Sequence, residues 1–193
     1  MLSYKESLKI LKETDALLEG HFILSSGLRS EKYIQCAKLL SKPKKAKELC
    51  LSLAEKIKEK FKNIDLILSP AIGGIVIGYE IGRILGLETI FVERINENFQ
   101  LRRGFQIKQG QKILIVEDVI TTGKSSLECS NLGSKVGAEI IGYACLIDRS
   151  NGKSKINKEI VSQVEIDIPT YKEGDIPKHL KDKKAIKPGS RNL

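Results

Sequence analysis

The chain has 193 residues, 41% of them hydrophobic and 30% charged, which is enough apolar material for a sizeable core and too much for a disordered chain. Lys+Arg 33 against Asp+Glu 24 gives a net charge of +9, an excess that favours anionic partners without choosing between nucleic acid, an anionic membrane surface and a phosphorylated metabolite. No run approaches the ~18 apolar residues of a membrane span and no apolar leader opens the chain, so a cytoplasmic protein is expected. Cys36, Cys50, Cys129 and Cys145 lie far apart with no CxxC pair, and they read as buried thiols in a reducing compartment.

Ser3 followed by Glu6 has the spacing of a capping box, and Leu8, Ile10 and Leu11 supply the apolar stripe of a short first helix. Between Leu17 and Leu40 the periodicity is poor. Ser25 to Ser30 reads as a turn-rich loop, and Tyr33 to Ala37 as a short strand. Pro43 stands where a helix begins, and Ala46, Leu49, Cys50, Leu53, Ile57 and Phe61 recur at helical spacing through a lysine-rich segment whose cations read as a solvated face. Ile64 to Leu68 is an apolar run stopped by Ser69-Pro70. The loop Ala71 to Gly74 then leads into a helix reaching about Gly86, with Gly78 and Gly82 on one face as a sign of close backbone packing.

Thr89 to Val92 is the next strand, while Glu93 to Gly104 is polar and has no clear period. Ile113 to Val116 reads as a fully buried strand, a helix runs from about Ser125 to Lys135, and Glu139 to Ile147 is another strand, ending at Asp148-Arg149. Ile160, Val164, Ile166 and Ile168 mark one more strand at an edge. From Pro169 onward a lysine-rich segment with several prolines reads as a loose tail or a strap. The alternation of strands and helices predicts an α/β fold, an open and mostly parallel central sheet flanked by helices, in a single domain over 1–193.

In such a sheet the ligand site lies beyond the C-terminal ends of the strands, where segments 69–74, 93–104, 117–125 and 148–149 converge. Thr121, Thr122, Gly123, Lys124 and Ser125 offer backbone N–H groups, hydroxyls and the positive end of a helix, which together make a cup for a phosphate dianion. Glu117 and Asp118 repel that phosphate; their fitting partners are sugar hydroxyls, reached directly or through a metal ion. An acid pair next to a phosphate cup points to a phosphorylated sugar. The segment lacks the second glycine of a Walker A loop, and Gly73-Gly74 with Gly78 is only a weak echo of a dinucleotide fingerprint.

Val116-Glu117-Asp118-Val119-Ile120-Thr121-Thr122-Gly123-Lys124-Ser125 closely resembles the phosphoribosyl-pyrophosphate signature of the type I phosphoribosyltransferases. Leu18 to Phe22 with Ser25-Ser26-Gly27, Tyr33-Ile34-Gln35, Ser69 to Gly74, Arg102 to Phe105, Ile147 to Ser150 and Lys187 to Arg191 run in the order of the orotate phosphoribosyltransferases, so the resemblance covers nearly the whole chain. It implies transfer of the phosphoribosyl group of 5-phosphoribosyl 1-pyrophosphate to orotate, giving orotidine 5'-phosphate and pyrophosphate in UMP synthesis. It also implies magnesium bridging the sugar hydroxyls and the pyrophosphate, with no protein metal ligand, and a homodimer.

Carried over by resemblance, Thr121 to Ser125 hold the 5'-phosphate, with Val119 and Ile120 in the same donor-binding signature, and Glu117 and Asp118 face the ribose 2'- and 3'-hydroxyls. Ala71, Ile72, Gly73 and Gly74 form the pyrophosphate-side loop, where a non-proline cis peptide is common. Arg149 takes the orotate carboxylate, to which a planar guanidinium is well matched, and Thr121 also touches orotate. A small N-terminal hood drawn from 17–40 covers the base with Ser25 and Tyr33 as contacts, and the tail spans 169–193. Loop 93–104 corresponds to a mobile catalytic loop that reaches the neighbouring subunit's site. Cations arriving on closure stabilise the departing pyrophosphate, and Arg94, Arg103 and Asp118 are the catalytic candidates, with Arg102 also at hand.

The chain departs from relatives in two places. Loop 93–104 has neither the lysine nor the histidine of the long form, and Ile176-Pro177-Lys178-His179 stands where many members carry C-P-x-C, so no tail metal is expected. His21 and His179 read as structural or surface residues. A purine-type phosphoribosyltransferase is the enzymatic alternative, against which the hood and Arg149 argue. A regulator that senses the sugar phosphate and binds nucleic acid is the other, but the lysines are spread with few aromatics between them, so neither nucleic acid nor a membrane is expected as partner.

Overall fold

A computed structural model describes residues 1–24 and 26–188; Ser25 and the Gly189 to Arg191 end of the family pattern lie outside the described residues. Helix α1 (Tyr4–Glu13) opens on the expected capping box: the Glu6 N–H donates to Ser3 Oγ at 3.3 Å, and the Ser3 N–H donates to Glu6 Oε2 at 2.8 Å. Strands β1 (Leu17–Ile23) and β2 (Arg29–Ile34) then pair antiparallel. This corrects the short strand expected over 33–37. A shift of register between Glu19 and Phe22 breaks the alternation of β1, which is why no period of two was legible there. The segment after β2 is instead a five-residue helix, α2 (Cys36–Leu40), followed by α3 (Pro43–Lys60) with Pro43 at its start.

The main sheet has six strands in the order β5-β4-β3-β6-β7-β8. They are β3 (Leu66–Pro70), β4 (Glu88–Ile95), β5 (Asn98–Leu101), β6 (Lys112–Ile120), β7 (Glu139–Asp148) and β8 (Ile160–Glu165). All neighbours run parallel except β4 and β5. Helices α4 (Gly73–Leu85) and α5 (Lys124–Lys135) make the crossovers after β3 and β6. Successive residues of the central strands alternate between two cores. Ile67, Leu114 and Val116 join α3 and α4 on one face, whereas Leu66, Leu68, Ile113 and Ile115 join Cys129 of α5 on the other.

The polar segment 93–104 is not an aperiodic loop but largely a β-hairpin. Strand β4 continues to Ile95, Asn96 and Glu97 turn the chain at φ 46 and 66, and β5 returns antiparallel. Two consecutive left-handed residues suit a tight hairpin turn, but with no glycine among them the turn was not readable. Strand β8, at one edge, ends at Glu165, and its Ser162 and Gln163 carbonyls accept hydrogen bonds from the Lys56 ammonium at 3.0 and 2.8 Å.

The tail is a strap. Strand β9 (Thr170–Tyr171) pairs with β2, a 3-10 turn (Glu173–Asp175) and α6 (Lys178–Lys181) follow, and the Ile186 N–H donates to the His21 carbonyl at 2.9 Å. His21 is buried with Nδ1 3.1 Å from the Lys183 carbonyl, in keeping with a structural role.

Candidate functional site

The crossovers leave β3 and β6 in opposite directions. Helix α4 carries the chain to β4 and α5 carries it to β7, so the C-terminal ends of β3 and β6 flank a switch point of the sheet. A cleft of about 870 Å³ opens there, lined by Ala71, Ile72 and Gly73 after β3, Glu93 and Arg94 on β4, and Asp118 on β6. The peptide between Ala71 and Ile72 is cis. Gly78 and Gly82 let α4 lie on the sheet: a Cβ on them would stand 2.2 Å from Ser69 Oγ and 1.9 Å from Thr89 Oγ1.

Glu117 and Asp118 lie near the C-terminal end of β6, with no cation partner among the described residues. Burial pushes the Glu117 carboxyl up to about 7, opposed by a hydrogen bond from the Ser126 hydroxyl. Burial also raises Asp118, opposed by the Val119 N–H, which donates to Oδ1 at 2.9 Å. The Asp118 carboxylate lies over Gly73, where any side chain would begin 2.8 Å from both its oxygens.

Beyond the pair, Val119 and Ile120 complete the strand, and Thr121, Thr122 and Gly123 turn into α5 with Gly123 at φ +76. The early N–H groups of α5 have no intrahelical acceptor; that of Lys124 is 3.3 Å from Thr122 Oγ1, and Ser125 follows in the same first turn. A segment absent from the sequence reading supports this turn from outside. The Lys155 N–H donates to the Thr122 carbonyl at 3.1 Å, and the Ile156 side chain fills the space beside Gly123.

Ile120 pairs with Asp148 across the sheet, so Thr121 and Arg149 leave adjacent strands side by side. The Arg149 N–H donates to the Ile120 carbonyl at 2.9 Å. Its guanidinium is half-buried, Nε has no hydrogen-bond partner among the described residues, and burial lowers its pKa. A buried cation with an unanswered donor is suited to a carboxylate ligand.

Other expected residues are placed differently. Tyr33 stands one layer back: its hydroxyl donates to Gln35 Oε1 at 2.6 Å, and Gln35, missed by the sequence reading, lines the cleft. Arg94 lines the cleft while its guanidinium bonds Glu128 Oε2 at 2.5 Å and stacks 4.1 Å over the Phe99 ring. Arg103 is not brought to the cleft wall. It is exposed and paired with both oxygens of Glu93 at 3.0 and 2.9 Å, a contact that holds the Glu93 carboxyl below its ordinary range. Ser126 and Glu128 carry no sequence signal beyond the helical spacing that turns them inward or toward β4.

Residues 37–181 match the family described as phosphoribosyl transferase domain. The chain is 47% identical over 181 residues to an orotate phosphoribosyltransferase of Rhizorhabdus wittichii, covering 93% of this chain and 92% of that one. It is 48% identical over 191 residues to one of Methylorubrum populi, covering 98% and 97%. The crystal structure of an orotate phosphoribosyltransferase from Aeropyrum pernix superposes with a TM-score of 0.72 over 82% of this chain and 92% of that one, at 23% identity, a likeness of fold.

Proposed function

The chain belongs to the phosphoribosyltransferase family, among the orotate phosphoribosyltransferases, and from that premise we propose how its residues divide the work. The reaction moves the phosphoribosyl group of 5-phosphoribosyl 1-pyrophosphate to a ring nitrogen of orotate and releases pyrophosphate. The turn Thr121 to Ser125 receives the 5'-phosphate on its amides and hydroxyls, and Glu117 and Asp118 accept hydrogen bonds from the ribose hydroxyls. The loop Ala71 to Gly74 meets the pyrophosphate. Arg149 and Thr121 hold orotate, with Tyr33 acting through Gln35. The observation that carries this reading is the acid pair and the phosphate turn at the switch point, with the unanswered Arg149 guanidinium beside them.

As the glycosidic bond to pyrophosphate breaks, positive charge grows on the ribose and negative charge on the leaving group. The acid pair stabilises the first through the hydroxyls, and Arg94 stabilises the second from the cleft wall. Arg103 joins it once its ion pair with Glu93 opens. Bound magnesium would supply positive charge to offset that of the departing pyrophosphate; Glu117 and Asp118, two buried carboxyls without a cation partner among the described residues, would fit a donor that brings such charge with it. No side chain is assigned as its ligand.

We also propose a homodimer in which hairpin 93–104 approaches the neighbouring site. Ile72, Val76 and Tyr79, 86%, 50% and 65% exposed, line one face of α4 next to the cleft and support a second copy there. Four free, buried thiols support a cytoplasmic location, and among the described residues no helix is long and apolar enough to cross a membrane.

The deciding experiment is release of pyrophosphate on adding orotate to enzyme, donor and magnesium. Turnover with orotate is expected; turnover only with adenine, hypoxanthine or xanthine would replace orotate by a purine. In Arg149→Ala, KM for orotate should rise about 10- to 100-fold with KM for the donor little changed, as expected for loss of a charged hydrogen bond. Normal orotate kinetics in that variant would remove Arg149 from its role.

A further inference from the structure

Glu117 and Asp118 leave the same strand but are stabilised by different kinds of donor. The Asp118 carboxylate is met by the main-chain N–H of Val119, which no exchange of a neighbouring side chain removes. Glu117 has one hydrogen-bond partner among the described residues, the hydroxyl of Ser126 on the first turn of α5, bonded to Oε2. The other titratable groups facing it are Asp118 on its own strand, the Cys129 thiol on α5 and the Cys145 thiol on β7, each of which repels a carboxylate when ionised. Against burial, the Ser126 hydroxyl is the influence that favours the charged form of Glu117.

Ser126 itself is 0% exposed and lies on the inward face of α5 with Cys129, Ser130 and Gly133. A hydroxyl in that position is costly unless it is bonded, and an alanine would satisfy packing alone. Glu117 must be ionised to offer both oxygens as acceptors, because a protonated carboxyl turns one of them into a donor.

We propose that Ser126 is a positioning residue for phosphoribosyl transfer: its hydroxyl fixes one oxygen of Glu117 so that the other oxygen can receive a ribose hydroxyl of the donor. The inference rests on the reading of 117–125 as the donor cradle. It adds a residue, one position past the cup, that touches no substrate and sets the pH range in which the cradle works. Activity is present where Glu117 is ionised and is lost as pH falls through its midpoint, so removing the hydroxyl moves the loss to higher pH.

The test compares kcat/KM for the donor against pH in wild type, Ser126→Ala and Ser126→Thr, because this parameter reports ionisations of the free enzyme. The acid limb of Ser126→Ala should lie about one unit higher, leaving roughly one-tenth of wild-type kcat/KM at about pH 6 and near-equal values at about pH 9; Ser126→Thr should follow wild type. The donor's own phosphates titrate alike with all three proteins. A carbon-13 carboxyl NMR titration of ligand-free wild type and Ser126→Ala should show the same displacement of the Glu117 midpoint. A folded Ser126→Ala with neither limb nor midpoint moved overturns the proposal, as does Ser126→Thr moving as far as alanine. If wild type does not turn over orotate, the substrate reading fails instead, and the NMR titration still decides the role of Ser126.

Discussion

Gly73 faces the Asp118 carboxyl so closely that a methyl group there would stand 2.8 Å from both oxygens. Because the obstructing atoms end a side chain, Gly73→Ala should fold, with helix propensity even favouring it, but the carboxyl must swing away from the ribose position. KM for the donor should rise about tenfold while KM for orotate and the melting temperature hold, measured by steady-state kinetics and thermal unfolding. Unchanged donor kinetics would mean that Asp118 does not need that place. At this scale the site was legible wherever its chemistry is contiguous: the acid pair, the phosphate turn and Arg149 sit in short runs at strand ends. Ser126 and Ile156 were not, because each acts through a neighbour that only the fold supplies.

Helix α4 crosses the sheet on two glycines. At Gly82 a Cβ would meet Thr89 Oγ1 at 1.9 Å and the Leu87 carbonyl at 3.0 Å. Alanine there gains up to ~1 kcal/mol of helix propensity but overpacks a tight contact, and Gly82→Ala should lower stability by about 1–3 kcal/mol in denaturant unfolding. A rise in stability would mean the contact is loose. Those glycines announced close packing in the sequence because they break helix propensity without breaking the apolar period. The hairpin of β4 and β5 gave no such signal. Its turn rests on Asn96 and Glu97, its cations are held by Glu128 and Glu93, and each strand shows too few inward residues for an alternation to stand out.

Over the whole molecule, the parallel sheet with its helical crossovers followed from the order of apolar runs, but the strand order β5-β4-β3-β6-β7-β8 did not, since sequence does not say on which side of β3 each later strand docks. Nor did sequence show that the strap of β9 and Ile186 is tied to β1 and β2, a pairing across more than a hundred residues. The net charge of +9 acts at this scale too. It should draw in a polyanionic donor, so kcat/KM for that substrate should fall several-fold between about 50 and 500 mM salt while kcat changes little. A salt-independent kcat/KM would confine the charge to surface solvation.

The four sulfurs carry one more consequence. Cys36, Cys129 and Cys145 have thiol pKa values pushed well above the ordinary range by burial, and Cys50 is pushed up to about 12. Peroxide and alkylating reagents attack thiolates, and here almost none exist at neutral pH. Three of these side chains lie near the acid pair, yet all four are buried, so activity should survive a peroxide exposure that inactivates enzymes relying on an exposed thiolate.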